Sequence, residues 1–251
     1  MKIAVVGGTG DCGQGFIKRW AGEHEIVIGS RKADKAEAAA AELTRFLKSR
    51  GIDSRIKGMD NAAAIEASDL VVLSVPYNFV ESMTSNLRES YGDQIVISPV
   101  VPMARVGRHF EYTPPAQGSA ALLARDLLPP SVRVVAAFHT ISYAAFQELD
   151  LTLGGDVLIV GDDPEAKEVV ADLVRVVKDL RPLDGGPLEL AAQVEGLTPL
   201  LLNIRRLNKI KNAGINVASS WAEGTRPRGP REFAAGHRKI GYVEEGFPAH
   251  I

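Results

Sequence analysis

Three glycines near the start of the chain, Gly8, Gly10 and Gly13, stand at the G-x-G-x-x-G spacing and directly follow the apolar run Ile3-Ala4-Val5-Val6. In a strand–turn–helix unit each missing side chain has its own reason: a tight turn, backbone approach to a pyrophosphate, and close packing of helix on strand. Main-chain N–H groups opening the next helix then face phosphate oxygens. Gly8, Thr9, Gly10, Asp11, Cys12 and Gly13 are therefore the expected phosphate cradle of a dinucleotide. Roughly 20 residues after such glycines, a chain selecting NAD offers an acid to the ribose hydroxyls. Here Glu25-Ile26-Val27-Ile28-Gly29 runs instead into Ser30-Arg31-Lys32, with Lys35 one turn on. An acid would repel a 2′-phosphate, whereas an arginine fork grips it with charge-assisted hydrogen bonds, which favours NADP. Without such a ligand, cations at a helix start sit against the positive end of the dipole.

The elements that must position these residues alternate. Strand patterns at 2–7, 25–29 and 53–58 are separated by helix patterns at about 11–21 and 33–50, the βαβ cadence of a parallel sheet. Two further apolar runs, 69–76 and 94–99, repeat the theme, the first followed by a loop at 77–79 and a helix to about Arg88. Ligands of open parallel sheets lie beyond the carboxyl ends of the strands, so Ser74, Val75, Pro76, Pro99 and Pro102 are cleft candidates, or else helix-breaking punctuation. A later strand, 133–138, leads through Ala137 into His139-Thr140-Ile141. His139 faces the same cleft or is a hydrogen-bonded structural group; no acid stands near it in sequence. Residues 156–161 form another strand, Asp162-Asp163-Pro164-Glu165 opens a helix over about 165–178, and 181–187 reads as a stiff turn into a small helical part.

Composition sets bounds. The 251 residues are 45% hydrophobic, enough for one large domain or a domain with a smaller partner. A net charge of −2 gives no basic field for nucleic acid, so the expected partners are small molecules. No apolar run approaches the roughly 20 residues of a membrane helix, and the first strand follows the N-terminus with no signal-peptide pattern, so a cytoplasmic protein without membrane association is expected. A single cysteine excludes an internal disulfide, and Cys12 has no Cys or His neighbour at metal-ligand spacing. It is a tolerated small residue or, at a helix N-terminus that lowers thiol pKa, a redox sensor.

Taken together, Gly7-Gly8-Thr9-Gly10-Asp11, Gly29-Ser30-Arg31, Ser98-Pro99-Val100-Val101-Pro102, His139-Thr140-Ile141, Gly161-Asp162-Asp163, Leu180-Arg181-Pro182-Leu183-Asp184 and Val194-Glu195-Gly196-Leu197-Thr198-Pro199-Leu200 make residues 1–215 resemble the NADP-dependent oxidoreductases of the deazaflavin coenzyme F420. The resemblance implies a Rossmann-type α/β fold, a doubly wound parallel sheet with a small, mostly helical C-terminal domain, and a homodimer. The division expected here is 1–180 for the NADP-binding domain, 181–220 for the helical domain, and 221–251 for an irregular tail rich in Pro, Gly, cations and aromatics. By the same resemblance Thr9, Ser30, Arg31 and Lys35 bind NADP, while His139, Ile141 and Thr198 border coenzyme F420, with His139 and Thr198 positioning rather than exchanging protons. Hydride passes directly between stacked rings in such enzymes, which accounts for the lack of a triad, a metal cluster or paired carboxylates in the sequence.

The chain departs from that family in two places. An Arg six residues before Thr198 and a Ser two before it are usual, whereas Ala192 and Gly196 stand here, with Gln193 adjacent. The tail carries Arg226, Arg228, Arg231, His237, Arg238 and Lys239 among Trp221, Phe233, Tyr242 and Phe247. It clamps an anionic aromatic ligand, or it braces an oligomer. These departures keep two other readings open: hydride exchange with another planar heterocycle, such as a pterin-type carrier or a flavin, and a non-enzymatic NADPH-sensing protein.

Overall fold

The computed structural model describes residues 1–218; the tail expected over 221–251 lies outside them. The chain runs β1 (Lys2–Val6), α1 (Asp11–Trp20), β2 (Glu25–Ser30), α2 (Ala33–Ser49), β3 (Arg55–Asp60), α3 (Asn61–Glu66) and β4 (Leu70–Leu73). After a 3-10 turn at Tyr77–Phe79 come α4 (Val80–Thr84), β5 (Ile95–Ser98), a hairpin of β6 (Met103–Val106) and β7 (His109–Tyr112), α5 (Ala120–Leu127), β8 (Arg133–Ala136) and α6 (Tyr143–Gln147). The described chain closes with β9 (Gly155–Gly161), α7 (Pro164–Val176), β10 (Leu180–Gly186) and α8 (Ala191–Asn208).

An eight-stranded sheet is ordered β10-β9-β8-β5-β4-β1-β2-β3. From β3 to β8 every pairing is parallel, and this is the order of a doubly wound dinucleotide-binding sheet, with its crossover reversing between β1 and β4. Strands buried on both faces read as unbroken apolar runs, and β4 (LVVL) is such a run. In β1, Ile3 and Val5 face the layer of α1, α2 and α7, while Ala4 and Val6 face that of α3, α4 and α5. Helix α2 turns Ala36, Ala40, Leu43 and Leu47 inward, an i, i+4, i+7, i+11 stripe. The expected N-cap of α7 is present, with Asp163 accepting from the Ala166 amide at 2.6 Å and Pro164 at the first helical position.

Two departures from the sequence reading concern the far edge. Residues 181–187 belong not to a turn but mostly to β10, which pairs in parallel with β9. Their turn-like composition is tolerated because β10 is an edge strand, where Pro182 removes no needed ladder hydrogen bond. Strand β9 runs antiparallel to β8. The starts of β9 and β10 therefore lie on the same side of the sheet as the carboxyl ends of the other strands. There Arg181 forms a bidentate pair with the buried Asp156 (2.7 and 2.7 Å), and both hold the backbone of Val217.

Candidate active site

The glycine loop is built as its spacing requires. Gly7 adopts φ +74°, and a Cβ there would lie 2.5 Å from the Ser74 carbonyl oxygen. A Cβ on Gly8 would lie 2.8 Å from the Val5 carbonyl oxygen, and one on Gly13 2.5 Å from the Gly8 Cα. Above Gly10 the nearest atom is the Gly7 oxygen at 3.4 Å, so its missing side chain leaves open room outside the loop. The N-cap Gly10 offers no side-chain acceptor to the first N–H groups of α1. This is the arrangement a pyrophosphate needs, a helix start without a side-chain cap beside a loop whose tightest positions are glycine. Replacing Gly13 by alanine sets backbone against backbone, and a cost of about 1–3 kcal/mol is expected. Differential scanning fluorimetry should then read a drop of about 3–8 °C.

Thr9, Gly10 and Asp11 are exposed at the rim, and Cys12 is half-buried behind them. Burial raises the Cys12 thiol above its ordinary value, outweighing the neighbouring Ser74 and Tyr143 hydroxyls, which lower it. Cys12 is thus a neutral, packed thiol, and its position at the helix start does not make it a reactive thiolate. At the end of β2, Ser30 is buried and accepts the Lys32 amide at 3.5 Å, while Arg31, Lys32 and Lys35 are exposed. Among the described residues none of these three cations forms an ion pair, and Lys32 caps α2 without a side-chain acceptor. A cluster of unpaired cations at a helix N-terminus is unfavourable until an anion arrives.

Across β1, the end of β4 brings Ser74, Val75 and Pro76 to the same rim, Ser74 buried and Pro76 exposed. The Ser74 and Ser98 hydroxyls and both ring nitrogens of His139 are buried without a hydrogen-bond partner. These buried polar atoms close the ends of the neighbouring strands β4, β5 and β8, where they are available to a polar ligand or water. After Ala137, Phe138 takes φ +73°, a strained value for a bulky residue. It is held there in a buried aromatic cluster by edge-to-face contacts with Phe16 (5.1 Å) and Trp20 (5.7 Å) and a tilted contact with Phe146 (6.0 Å). Burial pulls the His139 pKa down to about 4, although the Ser98 and Val100 backbones pull it up. The imidazole is therefore neutral near pH 7 and carries no charge to the cleft.

Thr198 lies on α8 and donates its hydroxyl to the His139 carbonyl at 2.7 Å, joining the C-terminal helix to this turn. Ile141 and Ser142 border a recess that residues 212–214 close, with Ser142 donating to Asn212 at 3.2 Å. The structure therefore brings the glycine loop, the end of β2, Ser74 to Pro76, the turn from Ala137 to Ile141, and Thr198 to one side of the sheet. Ala192 is half-buried and Gln193 exposed. A Cβ on Gly196 would meet the Tyr112 ring only at 4.0 Å, so the side chain absent there leaves space.

Three residues that the sequence reading passed over belong to the surroundings. Tyr143 donates to the Pro99 carbonyl at 2.9 Å beneath the cleft. Glu195 is fully buried and accepts the Ala120 and Ala121 amides (2.9 and 3.0 Å) and the Tyr112 hydroxyl (2.8 Å). Phe79 is exposed at the rim beside Arg31. For Glu195 a signal existed: Ala191, Glu195 and Pro199 fall at i, i+4 and i+8 on the buried stripe of α8, a charge where an apolar residue belongs.

Comparison with known proteins places this arrangement. Residues 2–102 match the family described as "NADP oxidoreductase coenzyme F420-dependent". The F420-dependent NADP reductase of Methanocaldococcus jannaschii is 39% identical over 221 residues, 87% of this chain and 99% of its own. That of Methanothermobacter thermautotrophicus is 38% identical over 224 residues, 87% of this chain and 95% of its own. A solved structure from Arthrobacter sp. FB24 overlays with a TM-score of 0.73 at 22% identity, covering 87% of this chain and all of its own, and so speaks for the fold. With both the glycine-loop half and the α8 half aligned, the chain belongs to the family of F420-dependent NADP reductases.

Proposed function

We propose that the protein is an NADP-dependent oxidoreductase that moves a hydride between NADP(H) and the deazaflavin coenzyme F420. One observation carries this: the 39% identity extends over 99% of an F420-dependent NADP reductase, including the cradle and the helix bearing Thr198. When bound, the nicotinamide and deazaflavin rings would supply the hydride chemistry, in either direction. The chain's part is proximity and orientation.

Gly8, Thr9, Gly10, Asp11, Cys12 and Gly13 cradle the pyrophosphate, the Gly8 and Gly10 amides shaping the loop by donating to Val5 and Gly7 (3.0 and 3.0 Å) and the N–H groups that open α1 serving the phosphates. Ser30, Arg31 and Lys35 take the 2′-phosphate, and the unpaired state of the two cations supports this. Ser74, Val75, Pro76 and Ala137 line the nicotinamide side, where the orphaned Ser74 hydroxyl offers a polar contact. His139, Ile141 and Thr198 border the second ring. His139 positions the turn rather than serving as a general acid, because with a pKa of about 4 its imidazolium form is essentially absent near pH 7. The Thr198 hydroxyl fixes the turn that carries it.

Homodimeric assembly, a cytoplasmic location, and partners limited to small-molecule redox cofactors, with neither nucleic acid nor membrane, complete the proposal. A net charge of −2 supports the last point, and no helix among the described residues is long and apolar enough to cross a membrane. The division into 1–180, 181–220 and 221–251 is part of this reading, with the one change that β10 (Leu180–Gly186) goes with the sheet of the first unit. The test is absorbance of the deazaflavin on mixing the purified protein with NADPH and F420, beside flavin and pterin acceptors. Rapid loss of deazaflavin absorbance with little turnover of the others is expected. Turnover of a flavin or pterin without F420 would overturn the substrate assignment, and the altered positions Ala192 and Gly196 would then explain the change.

A further inference from the structure

Phe79 is 39% exposed, an aromatic ring left open to solvent at the rim of the cleft. It ends the 3-10 turn that follows β4, while Arg31 follows the last residue of β2, and in the sheet β4 and β2 flank β1 and its glycine loop. The Arg31 guanidinium carbon lies over the Phe79 ring, 5.8 Å from its centroid. This is within the range of a cation–π contact. Among the described residues it is the one interaction recorded for Arg31, which has neither a carboxylate partner nor a side-chain hydrogen bond.

We infer that Phe79 is a positioning residue for cofactor selectivity, holding the Arg31 guanidinium where it meets the 2′-phosphate of NADP. The inference rests on the assignment of Arg31 to that phosphate. A cation–π contact draws on the charge of the guanidinium without using its N–H groups as hydrogen-bond donors to an acceptor atom, so the fork that matches phosphate oxygens stays available. Arginine otherwise loses considerable rotamer freedom when a ligand fixes it, so a ring that restrains it beforehand lowers that cost. An aliphatic side chain at position 79 would fill similar space without the ring quadrupole. Because Phe79 is exposed and outside the core, its replacement leaves the fold intact.

The experiment is isothermal titration calorimetry of NADP⁺ and NAD⁺ with the full chain and its Phe79→Leu, Phe79→Tyr, Arg31→Ala and doubly substituted variants. Phe79→Leu is expected to weaken NADP⁺ about 3- to 10-fold while NAD⁺ changes less than about twofold, and Phe79→Tyr stays near the parent. In the Arg31→Ala background, Phe79→Leu adds nothing further. Equal weakening of both cofactors would overturn the inference and make the ring a platform for adenine. The same loss with and without Arg31, or no loss at all, would overturn it too. If Arg31→Ala collapses the preference for NADP⁺ and Phe79→Leu does not, the role of Phe79 alone fails. If Arg31→Ala leaves the preference unchanged, the phosphate assignment fails first.

Discussion

Arg31→Ala raises the KM for NADPH about 10- to 100-fold while NADH stays within about twofold. The size follows from removing a charge-assisted, two-pronged contact to a group carrying close to two negative charges, each such hydrogen bond being worth about 1.5–3 kcal/mol. The selectivity follows because NADH has no 2′-phosphate for the fork to meet. The side chain carries little of the fold: Arg31 is exposed, its contact is with the likewise exposed Phe79, and no carboxylate among the described residues pairs with it. Steady-state kinetics with both cofactors decide the matter, and parallel rises in the two KM values would remove Arg31 from the phosphate site. Ser30 and Lys35 would still flank the site, so a residual preference for NADPH is expected.

The second large effect concerns Glu195. Burial raises its pKa to about 7, against the pull of the Ala120 and Ala121 amides and the Tyr112 hydroxyl. The Tyr112 hydroxyl has one proton and two acceptors in reach, Glu195 at 2.8 Å and the Gly118 carbonyl at 3.1 Å. Because the folded pKa lies above the unfolded value of 4.5, the folded state holds the extra proton. The contribution to stability is fully present below about pH 4.5, is lost as pH rises through about 7, and is constant above. That gap corresponds to about 3 kcal/mol.

His139 works in the opposite direction. Its folded pKa of about 4 lies below the unfolded 6.5, so its contribution is lost as pH falls below about 6.5. Comparing the parent with Glu195→Gln cancels that part. Urea unfolding at pH 5 and pH 8 should show the parent losing about 2–3 kcal/mol relative to the variant, and a constant difference would mean that Glu195 is ionised throughout. Tyr112 is the other titratable group facing Glu195, and its own pKa is raised well beyond this window.

Much of the cofactor half was legible because its signals are local. The run Ile3 to Val6, the glycine spacing and the cations after β2 are each set by neighbours within a few residues, and the loop geometry follows from missing Cβ atoms. The far edge was not, since Pro182, Gly185 and Gly186 have turn composition, and only the place of β10 at the end of the sheet makes a strand of them. The hairpin of β6 and β7 was equally hidden. It is held by Asn203 of α8, whose side chain exchanges two hydrogen bonds with the Phe110 backbone (2.8 and 2.8 Å), a pairing no local pattern announces. Phe79 and Arg31 meet only because the strand order carries β2 and β4 to either side of β1.

The carboxyl of Glu195 also dictates an order of assembly. Helix α5 satisfies its start partly from within, with Ser119 accepting the Leu122 amide, but its first two amides are met by a residue 75 and 74 positions downstream. A nascent chain that has emerged only as far as β8 holds a helix with a frayed beginning. Its completion waits for α8, so α5, the hairpin and α8 should close as one late cooperative unit. In the finished protein the Ala120 and Ala121 amides become reporters of that unit, since their exchange with solvent deuterium measures how often α8 lets go.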